Sequence, residues 1–151
     1  MCYNDYGDDM KEFISHSPSV TEKIAEELSS KLLGGEVIAF RGDLGAGKTC
    51  FTRGLAKGLQ FDGMVNSPTF ALVNEYLGGR LNLYHFDMYR IENWEDLYST
   101  GFFDYMDLGG VIAAEWSENI DGALPENTIY ITIEKIDENT RKISIDGVDY
   151  N

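Results

Sequence analysis

The stretch EVIAFRGDLGAGKTCFTRGL, residues 36–55, decides how this chain is read. Glu36 to Phe40 form a short apolar run of strand type. Gly42, Gly45, Gly47, Lys48 and Thr49 then match G-x-x-x-x-G-K-[ST] in full. From about Lys48 a helix is expected, with Phe51, Leu55 and Leu59 on one face. Strand, glycine-rich loop and helix in that order make a phosphate-binding P-loop. The glycines let backbone N–H groups close around phosphate oxygens, and the helix points its positive end at them. Residues Asp43, Leu44, Gly45, Ala46, Gly47, Lys48, Thr49 and Cys50 are therefore the nucleotide-binding candidates. Lys48 is expected on the β- and γ-phosphates, and the Thr49 hydroxyl on Mg²⁺.

Outward from this motif the chain reads as an α/β protein. Its expected core is a P-loop nucleotide-binding unit with a mainly parallel sheet, flanking helices and added antiparallel hairpins. Before the loop, SPSVTEKIAEELSSKLLGG reads as a helix. Ser19 is its expected N-cap, with Glu22 completing a capping box. Val20, Ile24, Leu28 and Leu32 are its apolar stripe, and Gly34-Gly35 its stop. After the loop, TFALVNEY and RLNLYHFD are strand-like runs joined by a turn at Leu77 to Arg80. Asn93 is expected to cap a short helix running through Tyr98. GGVIAAEW supplies a further buried strand. In a last hairpin Ile129, Ile131 and Ile133 alternate with Tyr130, Thr132 and Glu134, so one face is buried and the other wet.

A P-loop needs a carboxylate at a neighbouring strand end to hold its metal, directly or through water. Asp87 ends one apolar run and Glu115 another, both placed where open α/β sheets bind ligands. The residues alone leave open which holds the metal and which orients water. NSPTF, residues 66–70, reads first as an ordinary loop; Ser67 and Thr69 are its candidates for a γ-phosphate switch. His85 reads as a structural strand histidine and Trp116 as a packing residue. Arg90 reads as paired with a nearby acid, the alternative being phosphate. Phe102, Phe103 and Tyr105 fit either a core or an interface.

The 151 residues suit one domain, read as 11–151, after an acidic extension, 1–10, with Met10 an alternative native start. Hydrophobic residues make up 43% and aromatics 13%, enough for a core. No apolar run is long enough to span a bilayer, and the N-terminus has no signal-peptide pattern. Cys2 and Cys50 are too few for a disulfide framework or a zinc cluster, so two free thiols in a reducing cytoplasm are expected. A net charge of −14, from 12 basic and 26 acidic residues, argues against tight direct contact with nucleic acid.

The nucleotide is expected to be ATP. An N-K-x-D guanine loop is absent, and DLGG at 107–110 precedes its strand rather than following it. The competing readings are a small-molecule P-loop kinase and a non-catalytic nucleotide sensor. A kinase of that kind carries an arginine-rich lid, and no arginine cluster lies between Asp87 and Glu115.

RGDLGAGKTCFTRGLAKGL, SPTFALVNEY, LYHFDMYRI and AAEWSENI occur in that order between Ser17 and Arg141. Together they resemble the bacterial ATPase component of tRNA threonylcarbamoyladenosine synthesis, the TsaE (YjeE) family. The resemblance implies a protein that binds ATP and Mg²⁺, hydrolyses ATP slowly alone, and works with TsaD and TsaB partner proteins. It implies that tRNA is reached through that complex. It also implies that Glu115 and Thr49 serve Mg²⁺, that Asp87 lies near the γ-phosphate and is needed for activity, and that Thr69 lies in a switch-like loop. The sequence departs from the family at Cys50 and Ala71, where hydroxyl residues are usual, and at Ala113-Ala114, where bulkier residues are usual.

Overall fold

The computed structural model describes residues 10–42, 47–63 and 73–150. The expected extension before Met10, the loop residues Asp43, Leu44, Gly45 and Ala46, and Ser67, Thr69 and Ala71 lie outside the described residues.

Continuous apolar runs take the middle of the sheet, and alternating runs take its side. β2 (Val37–Gly42), β4 (Leu83–Asp87) and β5 (Val111–Glu115) each begin with four consecutive buried residues. Burial on both faces is the signature of a parallel sheet interior. β6 (Ile129–Lys135) and β7 (Arg141–Asp146) alternate, with Ile129, Ile131, Ile133, Ile143 and Ile145 buried. With β1 (Met10–Ser15) and β3 (Val73–Tyr76) they form one seven-stranded sheet of order β1-β7-β6-β2-β5-β4-β3. The four strands β6-β2-β5-β4 pair in parallel. The flanks β1-β7-β6 and β4-β3 pair antiparallel. The chain is thus an α/β protein with a parallel centre and antiparallel hairpins at both sides.

Helices cover the two faces unequally. α1 (Pro18–Ser29) and α2 (Lys48–Gly58) lie on one face, where Ile24, Leu28, Phe51, Leu55 and Leu59 join Ile38, Phe40, Ile131 and Ile143 in one core. α1 and α2 approach closely at Gly54. A Cβ there would stand 2.4 Å from the Glu22 carbonyl oxygen and 2.7 Å from the Ala25 methyl. On the other face α3 (Trp94–Ser99), α4 (Phe102–Met106) and a 3₁₀ segment (Ser117–Ala123) cover β2, β5 and β4. Phe102 is buried edge-on to Phe86, and Tyr105 packs against both Tyr84 and Phe86. These aromatics belong to the second core.

Several local expectations are corrected. The N-cap of α1 is Ser17, whose side chain accepts from the Val20 N–H at 3.2 Å, and Pro18 occupies the first helical turn. Proline needs no N–H there, so Ser-Pro is the stronger start signal than Ser19. Val20 is 38% exposed, and Thr21 and Ala25 join Ile24 and Leu28 on the buried face instead. α1 stops at Ser29, before the glycines. Gly34 and Gly35, both at positive φ, turn the chain into β2, while the Glu36 carboxylate accepts from the Leu33 and Gly34 N–H groups. Asn93 does cap α3, accepting from Asp96 N–H at 2.9 Å. Residues 107–110 form a turn before β5, as expected. Met10, placed in the extension by sequence, pairs with Asp146 in the sheet.

Candidate nucleotide site

β2 delivers the chain to the site, and Gly42 is the last residue before the loop. Its φ is +109°, and a Cβ would stand 2.1 Å from the Ile133 carbonyl oxygen. Only glycine fits a backbone that turns out of the sheet this close to β6. Gly47, also left-handed at φ 115°, is the N-cap of α2, and among the described residues no side chain caps that helix. The N-terminus of this 11-residue helix points its positive end at the loop, as anion binding requires. Lys48, Thr49 and Cys50 form its first turn and are half-buried.

Arg41, the cation beside the loop, is engaged on the other face. Its Nη2 lies 2.5 Å from Asp121 Oδ1, and its guanidinium sits over the Tyr130 ring. Lys48, at the start of α2, forms no ion pair among the described residues. Arg90 is exposed and forms no ion pair among the described residues, so the expected pairing with an acid is not made. It lines an open notch with Tyr89, Trp116 and Asn119.

The two strand-end acids meet in register: Asp87 pairs with Glu115 at the C-terminal ends of β4 and β5. β5 lies beside β2, and β4 lies one strand further out. Neighbouring strands are about 4.8 Å apart, so Glu115 is the acid nearer the loop. Residues alternate across a sheet, so His85, Asp87, Ala113 and Glu115 project on the α1–α2 face, with Ala113 in that core. Glu115 is 18% exposed, and its Oε2 lies 2.5 Å from Nε2 of the buried His85. Asp87 Oδ1 accepts from the Tyr89 N–H at 2.9 Å.

The loops after the two strands are bound together. Met88 N–H donates to the Glu115 carbonyl, and Asn119 Nδ2 donates to the carbonyls of Met88 and Tyr89. Tyr89 and Trp116 meet edge to face, with Trp116 at φ +58°. Trp116 is a packing residue here, as read from sequence, but held in a left-handed conformation that non-glycine residues seldom adopt. His85, read as structural, is bonded to Glu115; no ligand motif marks Asn119 in the sequence.

Beside the other side of α2 lies a pocket of about 140 Å³, lined by Pro18, Thr21, Gly47, Cys50, Asn139 and Arg141 among others. Cys50 Sγ donates to the Pro18 carbonyl, and burial pushes its thiol pKa up. A thiol held protonated is a poor nucleophile, which fits a packing role. A second hollow of about 230 Å³, between α3 and the 3₁₀ segment, is lined by Ile91, Trp94, Leu97 and Ile120, with Glu92 and, among the described residues, no cation. Its chemistry does not suit phosphate.

A sequence profile described as threonylcarbamoyl adenosine biosynthesis protein TsaE matches residues 15–143. The chain belongs to the TsaE family. Proteins named tRNA threonylcarbamoyladenosine biosynthesis protein TsaE are similar over most of their length. The one from Bacillus subtilis is 41% identical, covering 87% of this chain and 82% of that protein. The one from Aquifex aeolicus is 42% identical, covering 90% and 96%. The fold matches the crystal structure of Bacillus subtilis YdiB with a TM-score of 0.77 at 33% identity, over 90% of this chain and 84% of that one. The TsaE resemblance read from four motifs therefore holds over residues 15–143.

The donor set fits Mg²⁺. Among the described residues no cluster of three or more His, Cys, Asp or Glu side chains could hold a metal. Mg²⁺ does not ask for one: it keeps several waters and takes one or two protein oxygens plus phosphate. A hydroxyl on α2 and a carboxylate at the end of β5 are of that type.

Proposed function

We propose that this chain is a Mg²⁺-dependent ATP-binding and ATP-hydrolysing subunit that supports threonylcarbamoyladenosine modification of tRNA. Membership of the TsaE family supports the process. The observation that carries the chemistry is the register pairing of Asp87 with Glu115 at strand ends beside the strand that leads into the P-loop helix. Lys48 and the N–H groups at the start of α2 would hold the phosphates. The base and ribose would lie in the pocket between Pro18, Cys50 and Arg141, which opens beside Gly47. Thr49 and Glu115 would hold Mg²⁺. When bound, the ion would neutralise negative charge that develops on the phosphates. Asp87, one strand further out, would orient the attacking water through Oδ2, since Oδ1 accepts from the Tyr89 N–H of its own turn.

The working partners proposed are TsaD- and TsaB-type proteins, with tRNA reached through them. The charge of −14 supports contact with proteins rather than with nucleic acid. The small-molecule kinase is the weaker reading. Residues 88–114 hold one cation, Arg90, and their helices α3 and α4 pack on the sheet instead of forming a basic lid. ATP turnover with and without a cognate TsaD–TsaB pair, scored alongside tRNA modification, tests the proposal. Phosphate release that rises with the pair, together with modified tRNA, is expected. Transfer of the γ-phosphate to a metabolite would favour the kinase.

A further inference from the structure

A histidine buried in a central strand costs stability unless its ring nitrogens are bonded. His85 is fully buried in β4. One nitrogen, Nε2, faces Glu115 Oε2 at 2.5 Å. An ionised carboxylate only accepts, so Nε2 carries the hydrogen and donates it. The other nitrogen, Nδ1, is buried and finds no partner among the described residues. Leucine or phenylalanine would occupy the same strand position without stranding a polar atom. What the imidazole adds is the bond to Glu115.

The placement is specific. His85 pairs laterally with Ala113 and Asp87 with Glu115, so the ring reaches diagonally toward a carboxylate two residues further along the neighbouring strand. Ala113 puts only a methyl group beside that path. A bulkier residue there would crowd the ring. Glu115 Oε2 is held by the ring, while Oε1 has no hydrogen bond among the described residues.

We propose that His85 is the positioning residue of the metal site: it fixes the carboxylate of Glu115 through Oε2 and leaves Oε1 presented to the ion. This rests on the reading of Glu115 as the Mg²⁺-site acid. Outer partners of metal-binding carboxylates matter because an unrestrained side chain must be ordered again when the ion binds.

The test is the affinity of the full chain for a fluorescent, non-hydrolysable ATP analogue, measured in EDTA and in Mg²⁺. Wild-type protein is expected to bind more tightly with Mg²⁺. In His85→Leu that gain is expected to fall by about 10-fold or more, with the EDTA affinity nearly unchanged. His85→Gln puts its amide close to the position of Nε2 and is expected to keep most of the gain. His85→Asn, whose amide matches Nδ1, is expected to lose it. The Gln–Asn comparison decides the matter if the leucine variant does not fold. A wild-type gain in His85→Leu, or equal behaviour of Gln and Asn, overturns the proposal while a lost gain in Glu115→Ala keeps the metal reading intact. A gain retained in Glu115→Ala, or absent from wild-type protein, overturns the metal reading and the role of His85 with it.

Discussion

Glu115 ends the strand beside β2 and Asp87 the strand beyond it, so the same truncation should act differently at each. Glu115→Ala is expected to lower Mg²⁺-dependent turnover by about 100-fold while nucleotide binding in EDTA is little changed. Asp87→Ala is expected to lower turnover and leave the Mg²⁺-dependent gain in affinity intact. Lys48→Ala is expected to weaken binding itself, by at least about tenfold. Equal effects of Glu115→Ala and Asp87→Ala on the Mg²⁺-dependent gain would contradict the unequal roles. Tyr150 makes a prediction of another kind. Its hydroxyl is buried without a partner among the described residues, and burial, with Glu27 second, pushes its pKa up to about 12. The folded state therefore prefers the protonated phenol. Stability is unaffected below the ordinary value near 10 and falls as pH rises from there toward 12. Tyr150→Phe is expected to lack that alkaline loss and to gain up to about 1 kcal/mol at neutral pH, read from urea unfolding at several pH values.

At the scale of elements, the crossing of α1 on α2 and the cap of α1 carry the tests. Gly54→Ala should improve helix propensity yet force a methyl against Glu22 and Ala25. Overpacking of this kind outweighs the propensity gain, and a net loss of about 1–2 kcal/mol in unfolding free energy is expected. Ser17→Ala should cost about 1 kcal/mol, whereas Ser19→Ala should cost little; the reverse order would contradict the observed cap. The elements that were legible in sequence are those with local cause. The β2–loop–α2 unit is announced by its glycines and lysine, and β6 by the alternation of Ile129, Ile131 and Ile133. β1 was not legible, because MKEFIS is mostly exposed and is a strand only through pairing with β7 at the far end of the chain. α4 and the 3₁₀ segment are short, and packing against Phe86 and Ile112 defines them more than propensity does. The strand-end acids could be named from their position after apolar runs. The His85–Glu115 bond could not, since it depends on lateral register between strands 30 residues apart.

For the whole molecule the balance of charge and the placement of the site belong together. A chain at −14 that keeps Lys48 at the loop and ties Arg41 to Asp121 offers little to a tRNA backbone. The isolated chain is expected to show no tight tRNA binding at physiological salt, and a filter-binding titration that saturates at low micromolar protein would contradict this. Among the described residues no helix is long and apolar enough to cross a membrane. The parallel centre of the sheet brings the starts of α2 and the ends of β4 and β5 to one edge, with the Pro18–Arg141 pocket on the opposite side of α2. The most direct measurement is a crystal structure of the full chain with the ATP analogue and Mg²⁺. The expected result has phosphates at the N-terminus of α2, the ion between Thr49 and Glu115, and the base beside Cys50 and Arg141. A base in the hollow under Trp94, or an ion bound away from Glu115, would contradict it.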